Sequence, residues 1–304
     1  MENTTPHPPC SGWKTPPAFR RPVRTEPTAP RSLRFCPPTA KHAFSLVELS
    51  IVLVILGLLT GGILTGQSLI RAAELRSVVT ELQKYQTAVR SFQDKYFALP
   101  GDMRNASSFW GTMTNCGAAS PSGTGTQTCN GNGDGIMNNP PVSSQTGEVF
   151  AFWQHLANAG LIEGTYTGIS GPGGGGDVVI ATNVPASKLG NSGWSIWDWG
   201  DLSAGSTTTL FAANYRNMLL FGEKGPGITE KENMTPEEAW NIDTKIDDGL
   251  PARGKAKIRD RRDCALASNG APLTTSSADS LKLDAKYNLS LNATECSFVF
   301  HALM

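Results

Sequence analysis

Between Leu49 and Gly66 the chain carries no ionisable side chain, and this apolar run is preceded by one acid, Glu48, and followed by a change of pattern. As a helix rising 1.5 Å per residue, the run crosses most of the ~30 Å hydrocarbon core of a bilayer. After Gln67 the apolar positions become periodic. Leu75, Val78, Val79, Leu82, Tyr85, Val89, Phe92 and Tyr96 recur at three and four residues, with Arg71, Glu74, Glu81, Lys84, Arg90 and Asp94 between them. The spacing therefore predicts one continuous helix over residues 45–97, roughly 80 Å long. Leu99-Pro100-Gly101-Asp102 ends it, because the residue before proline is pushed out of helical geometry and glycine supports a turn. Gly57 with Gly61, and Gly62 with Gly66, place small residues four apart, which lets a second helix approach closely while weakening this one by about 1 kcal/mol per glycine.

Beyond Gly101 the pattern breaks into short elements. Residues 102–110 read as a short helix or turn, and residues 115–147, rich in Gly, Pro, Ser, Thr and Asn, as a long surface loop. Val149, Phe152, Trp153, Leu156 and Leu161 mark a helix over residues 148–161, with Gly160 near its end. Strands are predicted over residues 177–181, over the alternating Trp194-Ser195-Ile196-Trp197-Asp198-Trp199, within residues 207–221, and over residues 296–300. Thr235-Pro236-Glu237-Glu238 is a capping box with proline at the first helical position, opening a helix through Ile242 and Ile246.

Charge divides the chain. Residues 1–43 hold ten of the 20 prolines and seven basic residues (Lys14, Arg20, Arg21, Arg24, Arg31, Arg34, Lys41) against Glu2 and Glu26, a net +5 that leaves −5 for the rest. Such a segment cannot bury a core, and basic residues flanking an apolar helix stay on the cytoplasmic side. The neutral overall balance gives no basic surface for nucleic acid, so no nucleic-acid partner is expected. An ordinary secretory signal would place its cleavage site after the apolar run, near Gly61, Gly62 and Gly66; Phe44 and Glu48 precede it.

Phe44-Ser45-Leu46-Val47-Glu48-Leu49-Ser50-Ile51-Val52-Leu53-Val54-Ile55-Leu56-Gly57-Leu58-Leu59 resembles the cleavage and methylation segment of type IV prepilins and of the pseudopilins of type II secretion. The residue before the cut is usually Gly in that family and is Ala43 here. The resemblance implies that a prepilin peptidase cuts between Ala43 and Phe44 and methylates the Phe44 amine, and that Glu48 pairs with the amine of a neighbouring subunit. It implies an α+β, pilin-like fold: a long N-terminal α-helix, membrane-spanning in its lower half, packed on a small antiparallel β-sheet head with loop-rich insertions. Residues 1–43 would be a cleaved cytoplasmic leader, 44–67 the transmembrane half of the stalk helix, 68–99 its amphipathic half and 100–304 the globular head. The implied partners are other pilin-like subunits in a homo- or hetero-filament, the peptidase, an inner-membrane assembly platform and the membrane. The implied location is the bacterial inner membrane, then a periplasmic or extracellular filament.

Four cysteines follow the presumed cut and allow three pairings; the local ones, Cys116 with Cys129 and Cys264 with Cys296, are expected, the second stapling the C-terminal segment as in many pilins. Two constellations offer oxygen ligands for calcium. Asn130-Gly131-Asn132-Gly133-Asp134-Gly135 spaces Asn130, Asn132 and Asp134 like the first half of an EF-hand loop, but Pro141 stands where that loop needs Glu, and an Asx-rich turn explains the same residues. Asp243 and Asp247 lie four apart on one helix face, with Asp248 beside Gly249; a solvated helix end is the alternative. Asp-rich loops near the C-terminus hold calcium in major pseudopilins, which these residues resemble only loosely. No catalytic constellation emerges: His155 and His301 are the histidines after the leader, there is no Gly-x-Ser-x-Gly elbow, and no Lys follows Gly171-Pro172-Gly173-Gly174-Gly175-Gly176. His155 reads as a core or boundary residue. Trp194, Trp197 and Trp199 read as packing against the stalk helix, with a carbohydrate-stacking face as the other account and, with it, a membrane-tethered adhesin that does not polymerise.

Overall fold

The computed structural model describes residues 45–118, 120–137, 145–203, 209–259, 261–273 and 282–301, with backbone alone at 261 and 262. Residues 1–44, including Ala43 and Phe44, lie outside the described set, as do Pro141 and the start of the strand expected within 207–221. The chain forms two units, residues 1–55 and residues 56–304.

The first helix, α1, spans Leu46–Tyr96 without interruption. Up to Ile70 every large apolar side chain on it is at least half exposed, and the helix is long and apolar enough to cross a membrane. Further along, Val78, Leu82, Tyr85, Ala88, Val89 and Phe92 are buried, at the three- and four-residue spacing that puts them on one face. Phe97 follows in the left-handed region at φ 53 and is 93 % exposed.

That buried face meets a four-stranded antiparallel sheet of β1 (Ser192–Trp197), β4 (Met218–Glu223), β5 (Ala256–Arg259) and β8 (Ser297–Phe300), in the order β1-β4-β8-β5. The register aligns Trp194, Phe221, Phe298 and Ile258 in one row across all four strands, and Ile196, Leu219, Phe300 and Ala256 in the next. These two rows and the α1 face share one core, because residues two apart on a strand point to the same side. Tyr85 meets Trp153 and Trp194 edge-on, at ring distances of 5.0 and 5.5 Å. Each large side chain so buried contributes about 1.5–3 kcal/mol. The intervening row turns the other way, where Val299 packs with Leu210, Tyr215 and Met218.

Smaller elements complete the head: α2 (Ala106–Trp110), α3 (Glu148–Asn158), α4 (Pro236–Ile246), α5 (Arg261–Cys264), and the two-stranded pairs β2 (Gly200–Asp201) with β3 (Asn214–Tyr215) and β6 (Ala265–Leu266) with β7 (Lys286–Tyr287). Thr235 and Glu238 form a complete capping box at the start of α4. The Glu238 carboxylate also takes a two-pronged grip from Arg71 on α1, at 2.6 and 2.8 Å, so the α4 cap is fastened to the stalk helix where its amphipathic half begins. Burial pushes the Glu238 carboxyl up, but the donors from Arg71 and Thr235 outweigh it and hold it below the ordinary range.

One expected element is corrected. Residues 177–181 form no strand; only Ile180 makes an isolated bridge, to Val184. Ala181 takes φ 66, and the Asn183 side chain accepts from Val179 N–H while donating to the carbonyls of Ile169 and Asp177. A side chain thereby occupies backbone groups that a ladder would have used.

Candidate functional site

At the start of α1 the segment is closed on itself. Ser45 Oγ accepts from the Val47 N–H at 3.3 Å, and Glu48 Oε2 accepts from the Ser45 N–H at 3.2 Å. The two side chains thus cap the first turn reciprocally, with the Glu48 carboxylate turned back to the Ser45 amide. Val47, Leu49, Ile51 and Val52 around it are exposed, as is Glu48 itself, so in hydrocarbon its carboxylate would have few donors besides this amide.

Residues 38–64 match the protein family described as the prokaryotic N-terminal methylation motif. The chain carries a prepilin-type methylation segment. The match covers Ala43, Phe44 and Glu48 and ends within the apolar run of α1. No curated protein and no solved structure matches the chain. The motif match covers residues 38–64 and does not extend into the head.

The structure joins Cys116 to Cys129 and Cys264 to Cys296, with Cα separations of 5.7 and 5.2 Å. Beside the first pair, the loop from Asn130 to Gly135 spends its polar groups partly on its own turns and partly on distant segments. Asn132 Oδ1 accepts from Asp134 N–H and Asp134 Oδ1 from Ile136 N–H, the pattern of successive Asx turns, whereas Asn130 Oδ1 accepts from Ser107 N–H in the first turn of α2. Its backbone amides converge on two buried acids that sequence reasoning did not single out: Gly133 and Gly135 donate to Asp102 at 2.5 and 2.8 Å, and Asn132 donates to Glu148 at 2.8 Å. One oxygen each from Asp102, Asp134 and Glu148 lies within 4.8 Å of the others. Asn132 thus serves a turn and Asn130 reaches back to α2, while Asp134 joins partners 32 and 14 residues away along the chain.

Asp243, Asp247 and Asp248 form the second acidic group, again within 4.8 Å. Burial pushes the Asp243 carboxyl up to about 7, with Asp248 and Asp247 adding to it and the Tyr287 hydroxyl, which donates at 2.8 Å, opposing. Lys257, on β5, is brought down to about 8 by burial against the attraction of the three acids. Neither Lys257 nor Tyr287 carried a sequence signal, because both reach the acids through strand pairing.

His155 is fully buried in α3 and holds the end of the stalk. Its Nδ1 accepts from Gly101 N–H at 2.9 Å, which leaves Nε2 to donate to Thr128 Oγ1 at 3.0 Å. Burial depresses it from 6.5 to about 3. Because the unfolded chain takes up this proton near pH 6.5 and the folded chain does not, the stabilisation is complete above pH 6.5 and lost as pH falls towards 3. Between pH 6 and 5, wild type should lose about 1.4 kcal/mol per pH unit more than His155→Gln. Denaturant unfolding of the solubilised chain at several pH values checks this; parallel slopes for the two proteins would refute it. The comparison isolates His155 from Asp243 and from His301, which burial and Lys257 lower to about 4.

Trp194 is fully buried between Tyr85, Phe221 and Phe300, and its Nε1 donates to Glu81 of α1 at 2.7 Å. Trp197 and Trp199 are half-buried, the latter under the Arg259 guanidinium at 4.6 Å. The three rings present no common stacking face to solvent.

Proposed function

We propose that the protein is a structural subunit, a pilin or pseudopilin, of a type IV pilus or a type II secretion filament. The observation that carries this reading is the methylation motif overlapping the start of a 51-residue helix whose first half exposes its apolar side chains. Prepilin peptidase would cut between Ala43 and Phe44 on the cytoplasmic face of the inner membrane and methylate the Phe44 amine. The membrane half of α1 would hold the subunit until the assembly platform passes it into a filament of like subunits. There the exposed apolar face is buried at ~25 cal/mol per Å². Gly57, Gly61, Gly62 and Gly66 support this, since a side chain at each would meet nothing within 4 Å and a neighbouring helix has room to approach. The role is structural rather than catalytic, and the head supplies the outer shell of the filament.

Intact mass and N-terminal analysis of the membrane-extracted protein from its native host tests the reading. A chain beginning at N-methylated Phe44 is expected. A chain beginning beyond Gly61, or retaining Met1, would overturn it in favour of an exported or anchored protein that does not polymerise.

A further inference from the structure

Between residues 123–127 and residues 165–169 lies a half-open cavity of about 260 Å³, with Met113 and Gln154 completing its lining. Both walls are braced. The first belongs to the loop closed by the Cys116–Cys129 bond, where Gln127 Oε1 accepts from Thr124 N–H at 2.8 Å and Asn158 of α3 donates to the Thr126 carbonyl at 2.8 Å. The second is held through Thr167, whose N–H donates to the Thr182 carbonyl at 3.1 Å. Gln154, buried in α3, joins the two: its Nε2 donates to the carbonyls of Gln127 at 2.9 Å and of Thr167 at 3.2 Å. The fold therefore sets the cavity before any ligand arrives, which removes part of the ordering cost of binding.

The chemistry of the lining narrows the ligand. Among the described residues the lining carries no charged side chain; it consists of glycines, amides, threonine hydroxyls, the half-buried Tyr166 ring and the apolar Met113 and Ile169. A phosphate or an ammonium group would lose hydration there without a counter-charge. A wholly apolar ligand would strand polar groups instead. The Thr165 hydroxyl and Gln127 Nε2 have no partner among the described residues, and Gln154 Oε1, buried against Gly168, has no donor. An orphaned acceptor this deep gains a partner when a hydroxyl reaches the lining, directly or through one bridging water. The Tyr166 hydroxyl already donates to the Glu163 carbonyl at 3.2 Å, so the ring is what Tyr166 has left to offer. A sugar ring meets these conditions together, because its hydroxyls donate and accept, its C–H faces pack on an aromatic ring and it bears no charge. The volume suits one such ring, since sites for drug-sized ligands start at about 300 Å³. We propose that this cavity binds one unit of a neutral glycan, with Tyr166 as the packing surface and Gln127 and Thr165 as hydrogen-bonding groups. The proposal does not depend on filament assembly.

The test is saturation-transfer NMR on the full chain, solubilised in a zwitterionic detergent that carries no sugar, with glucose, galactose and N-acetylglucosamine as probes. At least one of them is expected to receive transfer, with a dissociation constant of about 1–10 mM. Tyr166→Ala should weaken binding by roughly ten-fold, while Tyr166→Phe stays within about two-fold of wild type, because the hydroxyl serves Glu163. Should Tyr166→Ala fail to fold, Thr165→Trp, which places a bulky ring in the cavity from an exposed position, decides by the same loss. Absence of transfer to all three sugars up to about 50 mM would overturn the proposal. So would binding lost in Trp197→Ala but kept in Tyr166→Ala and Thr165→Trp, or tighter binding of the cation glucosamine than of N-acetylglucosamine.

Discussion

Glu48→Ala is expected to leave cleavage before Phe44 intact and to reduce filament incorporation to background. The proposed assembly role of this residue rests on where its charge resides. Among the described residues its carboxylate accepts only the Ser45 N–H, at 3.2 Å, with exposed apolar neighbours around it. An acid held in hydrocarbon costs about 2.5–3.5 kcal/mol at the bilayer centre on insertion scales, and pairing with a neighbour's amine relieves that cost. Alanine removes the cost along with the pairing, so the free subunit becomes more stable in the membrane and the filament loses its register. Loss of the reciprocal cap removes about 1 kcal/mol from one end of a 51-residue helix, too little to unfold it. Immunoblotting of sheared filaments against the membrane fraction reads the result. Normal incorporation of the mutant would end the pairing mechanism while leaving the processing assignment intact.

Replacing both Cys264 and Cys296 with alanine is expected to destabilise the head by about 4 kcal/mol, and replacing Cys116 with Cys129 by about 3 kcal/mol. Separations of 32 and 13 residues set these values in the chain-entropy estimate. Position widens the difference. Cys264 and Cys296 are fully buried, whereas Cys116 is exposed in the loop. Cys296 leads directly into β8, which lies between β4 and β5 although it is the last strand of the chain. Its backbone also pairs with Met234 just ahead of α4, so the bond fastens the strand that completes the sheet to segments 32 and 62 residues earlier. Denaturant unfolding under non-reducing conditions measures both variants. Equal midpoints for wild type and Cys264→Ala/Cys296→Ala would refute the prediction, as would a larger loss from the loop pair.

Sequence by itself determined the elements whose causes are local. The period of Leu75 to Tyr96, the Leu99-Pro100-Gly101 stop, the Thr235–Glu238 box and the alternation around Trp194 each act within a few residues, and the structure places α1, α4 and β1 on them. The methylation segment is likewise contiguous and legible without a fold. Tertiary structure alone decided what depends on pairing across the chain. Nothing in Ala256-Lys257-Ile258-Arg259 announces a strand until β8 aligns Phe298 with Ile258, and residues 177–181 look like a strand until the Asn183 side chain takes their hydrogen bonds. The acidic groups follow the same division. Asp243 with Asp247 is readable from helical spacing, but Tyr287 lies 44 residues away, and Asp102 meets the glycine loop across about 30 residues. Such contacts are set by sheet register and loop closure, where the free energy depends on the whole core rather than on any window of sequence.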